Sequence, residues 1–394
     1  MGQSLSQTVD DILSHTVQRA GGAPGVVAMA CDRNGNIYEG AAGVRELGGS
    51  VAMTTDSVMF LASCTKALTG VALMQLVEEG KLALDDEARR YVPEIDAIQV
   101  LDGFEANGEA RLRKPRSAIT LGQLMLHTAG FGYDFFSADL FRYRTEREIP
   151  SILSSTFAGI RDVLLHDPGE RWTYGNNIDW VGRVVEALRG KRLGDVLRER
   201  VFTPLAMHDI GFTMTPAMHG RLVSIHQRAA DGQLSAHPEI VLPQPPDMDM
   251  GGHGLYSTIG EYMKFIRMIL NDGAGPQGRV LKAETVARMA ANGLGNLKSG
   301  AWTSSNPVFA NSGDFFPSVS KSWSYTFQVI DEAAPTGRAA GALSWAGLAN
   351  TFFWIDRHHG VGGMWGTQIL PFQDIGSYPG FVDFETAVYR ALGR

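Results

Sequence analysis

Ser63 and Lys66 stand three residues apart in the stretch Leu61-Ala62-Ser63-Cys64-Thr65-Lys66-Ala67-Leu68-Thr69-Gly70. On a helix, residues at this spacing share a face, with Cβ atoms roughly 5–6 Å apart. A serine hydroxyl is a weak nucleophile at neutral pH and needs a base beside it. A lysine serves as that base only where burial or nearby positive charge lowers its pKa. The pair thus describes a nucleophile and its activator, on condition that other residues enclose the lysine. Ser63 would also lie near a helix N-terminus, where free N–H groups favour developing negative charge. The competing reading is a chance S-x-x-K on an ordinary helix, so context must decide.

Other residues could join this pair. Tyr174 and Asn176 sit where a short extended piece, after the Pro168-Gly169 turn, meets a helical pattern. Side chains at such a junction can be aimed at a cleft. Tyr133, Phe135 and Phe136 fall in an aromatic, irregular stretch over residues 131–150, expected to be a loop bordering the site. Trp345 reads either as a sheet-packing aromatic or as the wall of an acyl pocket, because its large apolar face suits both. His127 and His253 are read as packing or hydrogen-bonding residues. Among the serines none has glycine at both i−2 and i+2, which argues against a G-x-S-x-G nucleophile elbow. Cys64 as the nucleophile is disfavoured, because on the helix it points away from the Lys66 face.

The elements that must position these residues follow from periodicity. Residues 8–20 read as a helix stopped by Gly21-Gly22, and Val26–Cys31 as a buried strand. An Asn34-Gly35 turn and a returning strand over 37–43 complete a hairpin. An amphipathic helix is expected from Ser63 to Gly80, and residues 100–117 read as a polar surface excursion. Residues 119–130 read as a capped short helix ending at Gly130. Helices are also expected over 178–188, 260–270 and 381–392. Strand-like stretches cover 323–330, 341–346, 351–356 and 361–369, and their short links imply antiparallel pairing. The fold class is therefore α/β (α+β), one antiparallel sheet built from both chain ends and flanked by helices. Residues 1–80 plus 290–394 would form the sheet domain and 81–289 an inserted, mainly helical subdomain, with the active site between them.

Composition narrows the function. The 394 residues are 44% hydrophobic and 20% charged with a net charge of −7, so a large core is available and neither disorder nor a nucleic-acid partner is indicated. Cys31 and Cys64, the two cysteines, read as free thiols in a reducing compartment. The polar N-terminus lacks the features of a secretory signal, although Gly2 and Ser6 fit the loose myristoylation pattern. No apolar run approaches the ~18 residues of a membrane span. The expectation is a cytoplasmic enzyme acting on a small molecule, with no membrane partner and its oligomeric state open.

Three motifs now stand in order: Ser63-Cys64-Thr65-Lys66, Tyr174-Gly175-Asn176 and Trp345-Ala346-Gly347. Together they resemble the signature of the class C β-lactamase and penicillin-binding-protein-like superfamily. The third motif departs from the Lys-Thr-Gly of true class C β-lactamases, and a W-x-G there resembles the family VIII carboxylesterases. The resemblance runs from about Val26 to the C-terminal helix and is supported by residues 126–133, 168–170, 204–207 and 251–257. It implies that Ser63 becomes the acyl-enzyme while Lys66 and Tyr174 share the proton handling. A cationic Lys66 would lower the Tyr174 pKa, so that a phenolate could act as base. Asn176 would hydrogen-bond Lys66 or the substrate. The oxyanion hole would be the backbone N–H groups of Ser63 and Leu348, with Gly347 permitting close approach of the substrate. No metal or cofactor is implied.

The departure at Trp345 bears on substrate. A lysine there would hold the carboxylate of a β-lactam or peptide, a contact worth roughly 1.5–3 kcal/mol. Tryptophan offers apolar area instead. The sequence therefore points to hydrolysis of neutral, short-to-medium acyl esters, with weak β-lactam cleavage as a side activity. A transacylase, a D-amino-acid peptide or amide hydrolase, and a non-catalytic acyl-binding protein remain the other readings.

Overall fold

The computed structural model describes residues 4–394; Gly2 of the myristoylation pattern lies outside them. Its centre is a seven-stranded antiparallel sheet. The strands are β1 (Gly25–Cys31), β2 (Asn36–Gly43), β3 (Lys321–Trp323), β4 (Gln328–Ile330), β5 (Leu343–Gly347), β6 (Thr351–Asp356) and β7 (Val361–Gly366). Their order is β3-β4-β5-β6-β7-β1-β2, so the two chain ends meet where β7 pairs with β1. The β1–β2 turn follows from its residues: the Asp32 carboxylate accepts the N–H groups of Asn34 and Gly35, which fixes the tight reversal.

Strands β6 and β7 are buried along their whole length, which requires cover on both faces. Alternation supplies the two sets of side chains. Phe352 and Trp354 pack on Phe381 and Phe384 of the C-terminal helix Tyr378–Ala391, with ring centroids 4.9 and 5.4 Å apart. Phe353 points the other way and meets Tyr262 of the helix Ile259–Leu270 at 5.3 Å. That helix therefore packs with the sheet, although it lies within the stretch assigned by sequence to the helical part.

The helix after Ser63 spans Thr65–Glu78 and is not amphipathic: residues 65–76 are all buried. It packs against the helices Asn177–Arg189 and Leu193–Leu197 and is enclosed on every face, so it has no solvent side. Its polar side chains are satisfied internally. The Thr69 hydroxyl donates to the Gly251 carbonyl at 2.8 Å, and the Gln75 amide donates to the carbonyls of Arg200 and Val280.

Four local expectations change. The stretch 323–330 is two strands, β3 and β4, because residues 324–327 turn with Ser324 N–H bonded to Phe327 O. Residues 100–117 contain a hairpin, Val100–Phe104 with Ala110–Arg113. The short helix Leu121–Met125, fixed by a Thr120–Gln123 capping box, ends before His127, which takes the left-handed position instead of Gly130. The aromatic stretch 131–150 holds a helix, Ala138–Glu146, capped by Ser137. No helix among the described residues is long and apolar enough to cross a membrane.

Candidate active site

Ser63 lies in a single 3-10 turn, Ala62–Cys64, that feeds directly into the buried helix. Ala62 adopts φ 44°, a left-handed conformation unfavourable for alanine by roughly 1–2 kcal/mol. The chain thus bends sharply just before the serine, and Ser63 faces a cavity of about 340 Å³.

Lys66 is wholly buried and its Nζ is held by three oxygens. It lies 3.0 Å from Ser63 Oγ, 3.0 Å from the Tyr133 hydroxyl and 2.7 Å from the Gly252 carbonyl. It also sits 4.7 Å from the centre of the Tyr174 ring. Burial pushes the ammonium down to about 7, against the opposing pull of the Asp179 carboxylate. The lysine can therefore be neutral near neutral pH, with a lone pair available to the adjacent serine hydroxyl.

Tyr174 differs from expectation. Burial pushes its phenol up, and the hydrogen bonds from Ser63 and Trp345 only oppose that rise. It remains a neutral phenol, not the phenolate that a cationic Lys66 would favour. Its oxygen accepts the Trp345 indole N–H at 2.8 Å, leaving its own proton free to donate. Trp345 both packs the sheet and lines the cavity, with its ring 4.8 Å from Tyr174 and 4.5 Å from Trp323.

Asn176 is a correction. Its side-chain amide points to the Ile160 carbonyl at 3.4 Å, it makes no hydrogen bond to Lys66, and it does not line the cavity. The helix Asn177–Arg189 begins at the next residue, which turns Asn176 into the interior. His127 is a packing residue, bonded to the Asn177 amide at 2.9 Å. His253 lines the cavity without a hydrogen bond to Ser63; burial and Lys66 depress it to about 3, so its 3.7 Å approach to Asp179 is not an ion pair. Cys64 is buried, 3.5 Å from the Thr351 hydroxyl, and its thiol is pushed up to about 12.

The end of β5 is pressed against the serine turn. A Cβ on Gly347 would fall 2.3 Å from the Leu61 carbonyl and 2.2 Å from the Thr351 hydroxyl, so only glycine fits. This brings Leu348 to the cavity beside Ser63. Among the described residues, the N–H groups of Ser63 and Leu348 make no turn, loop or capping hydrogen bond, so both are free to face an oxyanion.

The cavity walls are aromatic. Tyr133, Phe135 and Phe136 do border it, and Tyr133 additionally reaches Lys66. Sequence reasoning missed Trp302, Phe309 and Phe372, which come from irregular segments with no periodic signal. It also missed Asp179 and Gly252 behind Lys66. No lysine or arginine lines the cavity among the described residues.

A serine flanked by a neutralised lysine, a phenol and two free N–H groups can carry acyl transfer. The fold around it is β-lactamase-like, and the Beta-lactamase family model matches residues 9–375, so the chain belongs to that family of serine hydrolases and acyltransferases. Curated relatives include monacolin J acid methylbutanoyltransferase of Aspergillus terreus (strain NIH 2624 / FGSC A1156), 34% identical over 68% of this chain and 66% of its own length. Lovastatin esterase of Penicillium rubens is 33% identical over 69% of each chain. Among solved structures, the LovD6 mutant of simvastatin synthase from Aspergillus terreus superposes with TM-score 0.85 at 27% identity, covering 98% of this chain and 95% of that one. EstCE1, a hydrolase with promiscuous acyltransferase activity, shares the fold with TM-score 0.76 at 21% identity, over 98% of this chain and 99% of that one.

Proposed function

We propose that the protein is a carboxylesterase of this family that cleaves neutral, short-to-medium acyl esters through an acyl-Ser63 intermediate. The observation that carries the reading is the 3.0 Å contact between Ser63 Oγ and the buried Lys66 Nζ at the base of an aromatic, cation-free cavity. Lys66 takes the Ser63 proton as Oγ attacks the ester carbonyl. The N–H groups of Ser63 and Leu348 stabilise the oxyanion. Tyr174, a neutral phenol, passes a proton to the departing alkoxide, and Lys66 returns its own through the same network. Water then attacks the acyl-enzyme by the reverse proton path.

The W-x-G at Trp345 agrees with a family VIII carboxylesterase, and the absence of a lysine there disfavours carboxylate-bearing β-lactams. Initial rates on para-nitrophenyl butyrate and a chromogenic cephalosporin, with Ser63→Ala alongside, test this. Fast ester cleavage that is lost in Ser63→Ala, with feeble cephalosporin cleavage, is expected. Efficient cephalosporin turnover would overturn the substrate assignment, and ester cleavage surviving in Ser63→Ala would overturn the mechanism.

A second reading is transfer of the acyl group to an alcohol. It is favoured by the relatives named as acyltransferases, aligned at 34% identity. Adding a bulky alcohol to the butyrate assay and measuring the ester formed against butyrate released separates the two.

A further inference from the structure

Behind Lys66 lies a buried acid that acyl transfer as described does not use. Asp179 sits in the first turn of the helix Asn177–Arg189 and is completely buried. Its Oδ1 accepts the Gly252 N–H at 2.8 Å. The carbonyl of the same residue accepts Lys66 Nζ at 2.7 Å. The two contacts share one glycine, so carboxylate, glycine and ammonium form a continuous chain. The packing is tight: a Cβ on Gly252 would lie 2.4 Å from Asp179 Oδ2. The other carboxylate oxygen has no hydrogen-bond partner among the described residues.

We propose that Asp179 is a positioning residue, which orients Lys66 toward Ser63 through Gly252 and supplies the counter-charge to the ammonium that Lys66 becomes during acylation. This rests on the acyl-serine reading above. In that step the Ser63 O–H bond breaks, its oxygen bonds the acyl carbon, and the proton moves to Lys66 Nζ. A positive charge then appears in a site closed to water, where an uncompensated charge costs several kcal/mol. The other ionisable groups facing the lysine do not compensate it. Cys64 before its helix, Tyr133 and His127 from the preceding loops, Tyr174, and His253 beside Gly252 are all held neutral by burial. Asp134 lies farther along the Tyr133 loop, 3.3 Å from the Arg144 guanidinium. Asp179 itself is raised by burial and lowered by Lys66, as befits a carboxylate whose charge is supported by that partner.

Asp179→Asn separates charge from shape, since its amide oxygen can still accept the Gly252 N–H. The expected result on para-nitrophenyl butyrate is a kcat lower by roughly 10²-fold with KM nearly unchanged. The acid limb of the pH–rate profile is expected to move to lower pH, because Lys66 loses the group that favours its charged form. An unchanged kcat, or a lower kcat with the acid limb unmoved, overturns the proposal. Should Asp179→Asn not fold, Gly252→Ala is read by the same criteria, since its methyl displaces the carboxylate and keeps its charge; loss of fold there too assigns Asp179 to structure alone and overturns the proposal. Failure of the acyl-serine reading looks different, as wild-type protein without esterase activity or Ser63→Ala with it.

Discussion

The Trp345 indole N–H donates to the Tyr174 hydroxyl oxygen at 2.8 Å, so the second and third sequence motifs are joined by one hydrogen bond. The tryptophan lines the cavity with its ring and spends its polar atom on the neighbouring phenol. Its donation fixes which lone pair of Tyr174 is occupied and aims the phenolic proton toward Ser63 and the cavity.

Trp345→Phe keeps the aromatic wall and removes that donor. A neutral hydrogen bond is worth about 0.5–1.5 kcal/mol, so kcat should fall by a few-fold to about tenfold while KM for an apolar ester changes little. Trp345→Ala removes the wall as well and should cost roughly 3–5 kcal/mol of stability. Steady-state kinetics together with thermal unfolding of the two variants separate these effects. Equal kinetic losses in both would mean that the hydrogen bond, not the wall, sets the rate, and an unchanged kcat in Trp345→Phe would mean that the hydrogen bond does not matter.

The pH dependence follows from Lys66. The base is active when deprotonated, and burial brings its pKa down to about 7 from the ordinary lysine range. Activity should therefore rise with pH through neutrality and then level, since Tyr174 is pushed up and stays protonated. Lys66→Arg fixes a cation beside Ser63 and should lower kcat/KM by at least about 10²-fold at every pH. A pH–rate profile from pH 5 to 9 checks the limb, and a flat profile would remove Lys66 as the base.

Much of this site could be read from the sequence because its parts are local. Ser63 and Lys66 share one helical turn, and the spacing alone brings them together. The sheet was legible for the same reason, since β1 and β7 are unbroken apolar runs and β6 carries one over 352–355. What failed was nonlocal or irregular. Asn176 is two residues from Tyr174, but the helix start turns it inward. Asp179 stands in a first helical turn, where any acid has an electrostatic reason to be, so nothing singled it out. Phe309 and Phe372 reach the cavity from segments with no period to read. The Tyr174 phenolate was expected from its charged neighbour alone, and burial, invisible in the sequence, outweighs that neighbour.

Two tyrosines touch Lys66, and they should behave differently. The Tyr133 hydroxyl lies 3.0 Å from Lys66 Nζ and holds the amine in place. The Tyr174 hydroxyl faces Ser63 and is the proton donor in the mechanism proposed above. Tyr174→Phe should lower kcat by roughly 10²–10⁴-fold, the usual range for losing a proton-transfer group. Tyr133→Phe should cost no more than about tenfold, one hydrogen bond to a lysine that keeps its other partners. Single-turnover acylation rates of both variants make the comparison, and a larger loss in Tyr133→Phe would reverse the two roles.

Gly347→Ala tests the placement of the oxyanion donors. The added methyl would lie 2.3 Å from the Leu61 carbonyl and 2.2 Å from the Thr351 hydroxyl, closer than any atom can sit. The threonine side chain can rotate, but the Leu61 backbone belongs to the strained turn that carries Ser63. The end of β5 must therefore retreat and take the Leu348 N–H with it. Removing one oxyanion donor elsewhere costs about 10²–10³-fold in kcat, and a comparable loss is expected here with KM less affected. The pH at which activity rises should stay where it is, because the hydrogen bonds of Lys66 and Asp179 run to Ser63, Tyr133 and Gly252 and none runs to the end of β5. That combination distinguishes a displaced oxyanion hole from a disturbed base: Gly347→Ala should lower the plateau of the pH–rate profile and leave its midpoint, whereas Asp179→Asn should move both.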